Sequence, residues 1–157
     1  GDLIATPQLA HVASKEAEIA VEHMAGLPTQ TGTDPNAVPS AIYCQPQVAG
    51  FGLRKGQARE GNIPHKVARF PYQAVGKAVA VDSTAGHVKV LYDPSTTEIL
   101  GAHMVGINAT ELIHEILLAK TNELIPEDIA GMMHAHPTIA EGIMEGMREV
   151  EGHAIHI

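Results

Sequence analysis

Aromatic residues are scarce in this chain of 157 residues, which holds two Phe, three Tyr and no Trp. Its core must therefore be assembled from Ile, Val, Leu, Met and Ala, and little is on hand for stacking bases or sugars. Cysteine is nearly absent: a lone Cys44 excludes an intrachain disulfide and any Cys-x-x-Cys redox or zinc site. Positive charge is short as well. Ten Lys and Arg against eighteen Asp and Glu leave a formal net charge of −8, which speaks against nucleic acid or an anionic membrane as partner. No apolar run approaches the roughly 20 residues of a membrane-spanning helix, and no basic-then-apolar leader opens the chain. A cytoplasmic protein is the expectation. The first residues are Gly1-Asp2 rather than an initiator Met, so the chain reads as a piece of something larger. What is present is 45% hydrophobic content, which suits one ordinary core with an appended segment.

Residues 8–25 predict an amphipathic helix, because Leu9, Val12, Ala13, Ala17, Ala20, Val21 and Met24 recur at helical spacing between Pro7 and Gly26. Residues 27–40 carry three prolines and no periodicity, and so read as a linker. The expected organisation is a short segment, 1–35, ahead of a domain over 36–157. Within that domain Ala41–Cys44, continuing past Pro46 to Val48, reads as extended, and so does the run over 65–72. Lys77–Val81, His87–Tyr92 and Glu98–Val105 read as three strands in meander, joined by turn-rich stretches at 82–86 and 93–97. Helices follow: one with its stripe at Ala109, Leu112, Ile113, Ile116 and Leu117, one opened by Pro126-Glu127-Asp128, and one from about Thr138. Strands followed by helices predict an α+β fold, an antiparallel sheet of about five strands with helices packed on it.

The chemistry concentrates at His134-Ala135-His136-Pro137-Thr138-Ile139-Ala140-Glu141. A histidine beside a glutamate can take and return a proton near neutral pH, since a free imidazole titrates near pH 6.5. The same residues have a structural reading: Thr138-x-x-Glu141 is a capping box. Gly142 and Gly146 each cost a helix about 1 kcal/mol relative to Ala, which implies something passing close to that face. His134-x-His136 could chelate a metal, but no third ligand has matching spacing. Glu111-x-x-His114 matches one step of a di-iron bundle but lacks the rest of it, and reads as a solvated helical edge. Gly50-Phe51-Gly52-Leu53-Arg54-Lys55-Gly56 departs from a dinucleotide fingerprint and reads as a turn. Cys44 reads as a small core or turn residue. His23, His65, His87, His103, His114, His153 and His156 read mostly as surface or satisfied polar positions.

These motifs together resemble the C-terminal third of the dihydrolipoamide dehydrogenases, in the pyridine nucleotide-disulfide oxidoreductase family. The most specific marker is the 134–141 run, similar to the family's His-x-His-Pro-Thr-x-x-Glu. Gly1-Asp2 and Leu9-Ala10-His11-Val12-Ala13-Ser14 resemble its second flavin-contacting motif, and Tyr43-Cys44-Gln45-Pro46-Gln47-Val48-Ala49 the entry to its interface domain. Gly101–Gly106 followed by Ala109–Ile113 resembles the strand–helix junction beyond. Gln47 stands where glutamate is usual and Cys44 where threonine is common.

The resemblance implies that residues 1–35 belong to a flavin-binding domain and 36–157 to the dimerisation domain. His136 would be the acid/base that deprotonates a dithiol, oriented by Glu141, and would act in the active site of the other subunit of a homodimer. Asp2 and the backbone of Leu9, Ala10 and His11 would lie against the flavin. The whole enzyme would use FAD and NAD to oxidise dihydrolipoamide, in the service of a 2-oxoacid dehydrogenase complex core. The chain itself has no GxGxxG and no Cys-x4-Cys, so it is expected to be inactive alone and to bind no flavin. Another disulfide reductase of the family, or a dimerising module without catalysis, are the rival readings, and upstream sequence would separate them.

Overall fold

Helix α1 runs over Ala10–Met24 and ends in a turn that places Gly26 at φ +69°, where the amides of Gly26 and Leu27 bond back to the carbonyls of His23 and Glu22. It belongs to the first of two compact units, Gly1–Val38; the second runs from Pro39, and the computed structural model describes residues 1–156. Within the first unit Val12 and Ile19 are buried, whereas Leu9, Val21 and Met24 of the expected stripe stay exposed.

The second unit is a five-stranded sheet in the order β1-β2-β5-β4-β3, antiparallel throughout, built from Ser40–Ile42 (β1), Gln47–Gly52 (β2), Lys66–Pro71 (β3), His87–Tyr92 (β4) and Ile99–Gly106 (β5). Short helices Lys55–Glu60 (α2) and Gly76–Ala80 (α3) interrupt the strands, and Ala109–Thr121 (α4), Pro126–Ala130 (α5) and Glu141–Val150 (α6) follow them. The α+β expectation holds. The turn between β4 and β5 is of the kind its sequence implies: Asp93 Oδ1 accepts the amides of Ser95 and Thr96 at 2.7 and 3.1 Å.

One expected strand is a helix. Lys77–Val81 is apolar after its first residue and suits either state, but Val75 and Ala78 are buried three apart while Val79 is exposed, which is helical spacing. The third strand of the meander is instead β3, paired with β4 from Lys66↔Tyr92 to Pro71↔His87. The glycine-rich stretch also differs from expectation. Gly50 lies inside β2, where a Cβ would stand 2.8 Å from the His103 ring, and α2 follows. Gly52, at φ +69°, keeps the conformational demand a glycine meets.

Alternation sets the two faces of the sheet. Ala49, Phe51, Phe70, Val88, Val90, Ala102 and Met104 form the core with Ile113 and Ile116 of α4 and Ile143 and Met147 of α6. Helix α4 packs on β2 and β5, and α6 on β3 and β4. Helix α6 comes in close, as its glycines imply: a Cβ on Gly142 would lie 3.0 Å from Val75 Cγ2, and one on Gly146 would lie 3.3 Å from Val88 Cγ1. That approach fixes where the N-terminus of α6, and with it Glu141, sits over the sheet.

Candidate functional site

The ten residues between α5 and α6, numbers 131–140, form no regular element and carry both histidines of the motif. At their far end Glu141 divides its two oxygens. Oε1 accepts from His136 Nδ1 at 2.9 Å, and Oε2 accepts from the Thr138 amide at 2.9 Å. Glu141 therefore meets both the imidazole and a backbone amide just ahead of α6, one oxygen each. The Thr138 half of the box is absent. Its hydroxyl donates to the Ala135 carbonyl at 2.7 Å, and α6 starts at Glu141 with Ala140 before it, three residues later than expected.

Because a carboxylate only accepts, the His136 proton sits on Nδ1 and leaves Nε2 as the acceptor nitrogen. The side chain of His136 is 76% exposed, so that nitrogen is open to a reactant. The His136–Pro137 bond is cis. Burial by itself would raise the Glu141 carboxyl, but the Thr138 amide and the His136 ring outweigh it and hold the carboxyl below its ordinary range. It is thus anionic at neutral pH, where it can stabilise positive charge on His136.

His134 faces the other way. Its side chain is 3% exposed, Nε2 lies 2.8 Å from Glu115 Oε1 on α4, and Nδ1 lies 3.2 Å from the Met132 carbonyl. His134 and His136 thus bind different carboxylates and do not converge, and no group of three or more metal-ligating side chains gathers among the described residues. Glu111 and His114 are exposed on α4, with His114 Nδ1 3.1 Å from the Glu111 carbonyl, a solvated edge as expected. Cys44 is exposed in the β1–β2 turn, not in the core, and its thiol donates to the Pro46 carbonyl at 2.9 Å. Asp2, Leu9, Ala10 and His11 are all exposed; Leu9 precedes α1, whose first turn has neither a side-chain cap nor an acidic residue.

Three side chains with unusual surroundings escaped sequence reasoning. Glu115 lies 19 residues from His134 in the chain, and only the packing of α4 joins them. Glu145, one turn beyond Glu141, is 2% exposed. It accepts the amides of Ile155 and His156 at 2.7 and 3.2 Å and Arg148 Nη1 at 2.6 Å, so it pins the C-terminal segment. Its signal was present: a carboxylate on the face that Gly142 and Gly146 mark as buried. His103, read as a surface or satisfied polar position, is the third. It stands in a row Gly50–His103–Lys89–Arg69 across the sheet, its Nδ1 is buried without a partner, and burial, aided by Lys89 and Arg54, pushes its pKa down to about 4.

Gln47 occupies the position where glutamate was noted as usual. Its Oε1 accepts from the Thr110 amide at 3.2 Å and the Thr110 hydroxyl at 2.9 Å, so it caps α4 from the start of β2 while Asn108, the residue before the helix, makes no side-chain cap. The substitution keeps the acceptor and loses the charge.

Residues 38–147 match the family described as pyridine nucleotide-disulphide oxidoreductase, dimerisation domain. The chain belongs to this family. Among curated relatives, dihydrolipoyl dehydrogenase of Corynebacterium glutamicum is 44% identical over 99% of this chain and 34% of its own length. That of Bacillus subtilis is 42% identical over 99% and 33%. This chain therefore spans about a third of the length of the relatives it matches. Among solved structures, LpdA from Mycobacterium tuberculosis superposes with a TM-score of 0.89 at 24% identity, over 94% of this chain and 32% of that one. The HOCl-induced flavoprotein disulfide reductase RclA from Escherichia coli superposes with a TM-score of 0.83 at 22% identity, over 91% and 33%. Both share the fold of the dimerisation domain. No helix among the described residues is long and apolar enough to cross a membrane.

Proposed function

We propose that this chain is the interface domain of a dihydrolipoyl dehydrogenase, and that His136 and Glu141 act as the acid–base pair in the active site of the partner subunit of a homodimer. The observation that carries the reading is the His136 ring itself, tethered through Nδ1 to an anionic carboxylate while Nε2 is open. In the step it would serve, a thiol of dihydrolipoamide gives its proton to Nε2, the thiolate left behind attacks a redox disulfide, and Glu141 stabilises the charge on the ring. The proton then returns from Nε2 to solvent or to a leaving thiolate.

Placement favours service to another subunit. Beside the pair, Met133 is 94% exposed and Met132 is half exposed, an apolar border of the sort a protein partner covers. Membership of a dimerisation-domain family supports the homodimer. The relatives at 44% and 42% identity support dihydrolipoamide, and behind it a 2-oxoacid dehydrogenase complex core, as the substrate side.

The start of α1 fits the expected flavin contact. Leu9 at its N-cap makes no side-chain cap, no acidic residue stands in its first turn, and Asp2, Leu9, Ala10 and His11 are exposed in the same unit. FAD, when bound, would supply the route by which an electron pair passes from the reduced redox dithiol to NAD. Asp2 and the backbone of Leu9, Ala10 and His11 are the groups that would lie against it.

The test is His136→Ala in a full-length protein that carries this chain. Turnover with dihydrolipoamide should fall at least about 10²-fold. A loss of only a few-fold would leave Glu141 as a helix cap with an idle imidazole beside it.

A further inference from the structure

The irregular segment 131–140 is tied at two points. Near its start the His134 ring is tucked in at 3% exposure and bonded to Glu115 on α4; at its end Glu141 on α6 holds the Thr138 amide and His136. Only Ala135 separates the tucked ring from His136, and its carbonyl is itself held by the Thr138 hydroxyl. One extended residue spans about 3.3–3.6 Å, so the position of His134 limits where the His136 backbone can go. The side chains diverge accordingly: Met133 and His136 are exposed to solvent while His134 points to α4.

We infer that Glu115 and His134 form a clamp between α4 and this segment that positions the His136 ring on Glu141. The inference rests on the acid–base reading of His136. Glu115 and His134 are positioning residues: neither touches a reactant. The clamp couples α4, packed on β2 and β5, to the segment leading into α6, packed on β3 and β4. The geometry of the pair is thereby referred to both halves of the sheet rather than to a loop alone. A clamp is needed because the segment has no backbone ladder of its own, and a misplacement of about 1 Å in a catalytic group can cost 10²-fold in rate.

The readout is the tautomer of His136 in the 157-residue chain, taken from long-range proton–nitrogen NMR of histidine-labelled protein at about pH 8.5, where a free imidazole is neutral. The native chain should show the proton on Nδ1. Glu115→Ala should move His136 toward the Nε2–H form that prevails in free histidine. Glu115→Gln, which keeps an acceptor oxygen, should restore the native signature. In a full-length protein Glu115→Ala should lower turnover about 10-fold or more, with Glu115→Gln recovering most of it.

If Glu115→Ala does not fold, the double change Glu115→Met with His134→Leu fills the same space without either hydrogen bond, and carries the test; it should fold and lose the Nδ1–H signature. Retention of that signature in whichever of these two variants folds overturns the clamp. The outcome is separable from the acid–base reading. An unaltered turnover in His136→Ala would sink that reading while the tautomer shift stood, and a large loss there with no tautomer shift on removing Glu115 would sink only the clamp.

Discussion

His134 with Glu115 and His136 with Glu141 pair the same two side-chain types at nearly the same distance, 2.8 and 2.9 Å, on histidines two residues apart. They differ in burial, at 3% against 76% exposure of the imidazole. A buried ring with an acceptor at each nitrogen has nothing left to offer a reactant, so its hydrogen bonds go into holding the chain. An exposed ring with one nitrogen tethered and the other open holds almost nothing, and is placed to exchange a proton. The residue types are common to both pairs, and burial divides their roles.

The largest expected effect tests that division through stability. His134→Ala removes a packed ring and strands Glu115, and should destabilise the chain by about 2–3 kcal/mol in urea unfolding. His136→Ala, at an exposed position, should cost less than about 1 kcal/mol. Equal costs would break the comparison.

A third histidine sharpens it. His103 is half buried with no partner for Nδ1, and burial, then Lys89 and Arg54, hold it at about 4. Its folded value lies below the ordinary value near 6.5, so the unfolded chain takes up the proton first as pH falls. Its contribution to stability is complete above about pH 6.5 and is lost as pH drops toward the folded value. After allowance for solvent screening the loss is on the order of 1–2 kcal/mol. Thermal melts from pH 7 to pH 4.5 should show this slope diminished in His103→Gln; an unchanged slope would mean that this ring does not carry it.

The smallest effect contrasts two helix starts. Glu141 holds the Thr138 amide just ahead of α6 with a carboxylate, whereas Gln47 serves the first turn of α4 with a carboxamide. Gln47→Glu should keep the bonds to Thr110 and add charge at the helix N-terminus, for a gain of about 0.3–1 kcal/mol. A loss of stability would show that the desolvation of this position outweighs the dipole.

How much of this was legible depended on the range of each interaction. Strand β4 coincides with its sequence reading because turn residues bracket a short β-branched run. Lys77–Val81 was misread because five residues of Ala, Val and Lys suit both periods, and the burial of Ala78 decided the matter. The glycines of α6 announced a close approach, and Val75 and Val88 supplied it. His136 and Glu141 were legible since five residues and one helix start join them. Glu115 was not, because no local pattern marks which residue of one helix a histidine 19 positions away will meet. His103 was misjudged for a related reason: its environment comes from β2, β4 and Arg54 just ahead of α2, not from its sequence neighbours.

The sequence by itself determined the α+β character, the pairing of His136 with Glu141 and the need for α6 to approach the sheet, all consequences of local periodicity, spacing and missing side chains. Only the tertiary structure decided that Glu141 would divide its oxygens between His136 and the Thr138 amide, that His134 would be locked to Glu115, and that His103 would be half buried. The physical reason is burial. Residue type sets what a histidine or a carboxylate can do, while its solvent and partners come from elements that meet only when the chain folds.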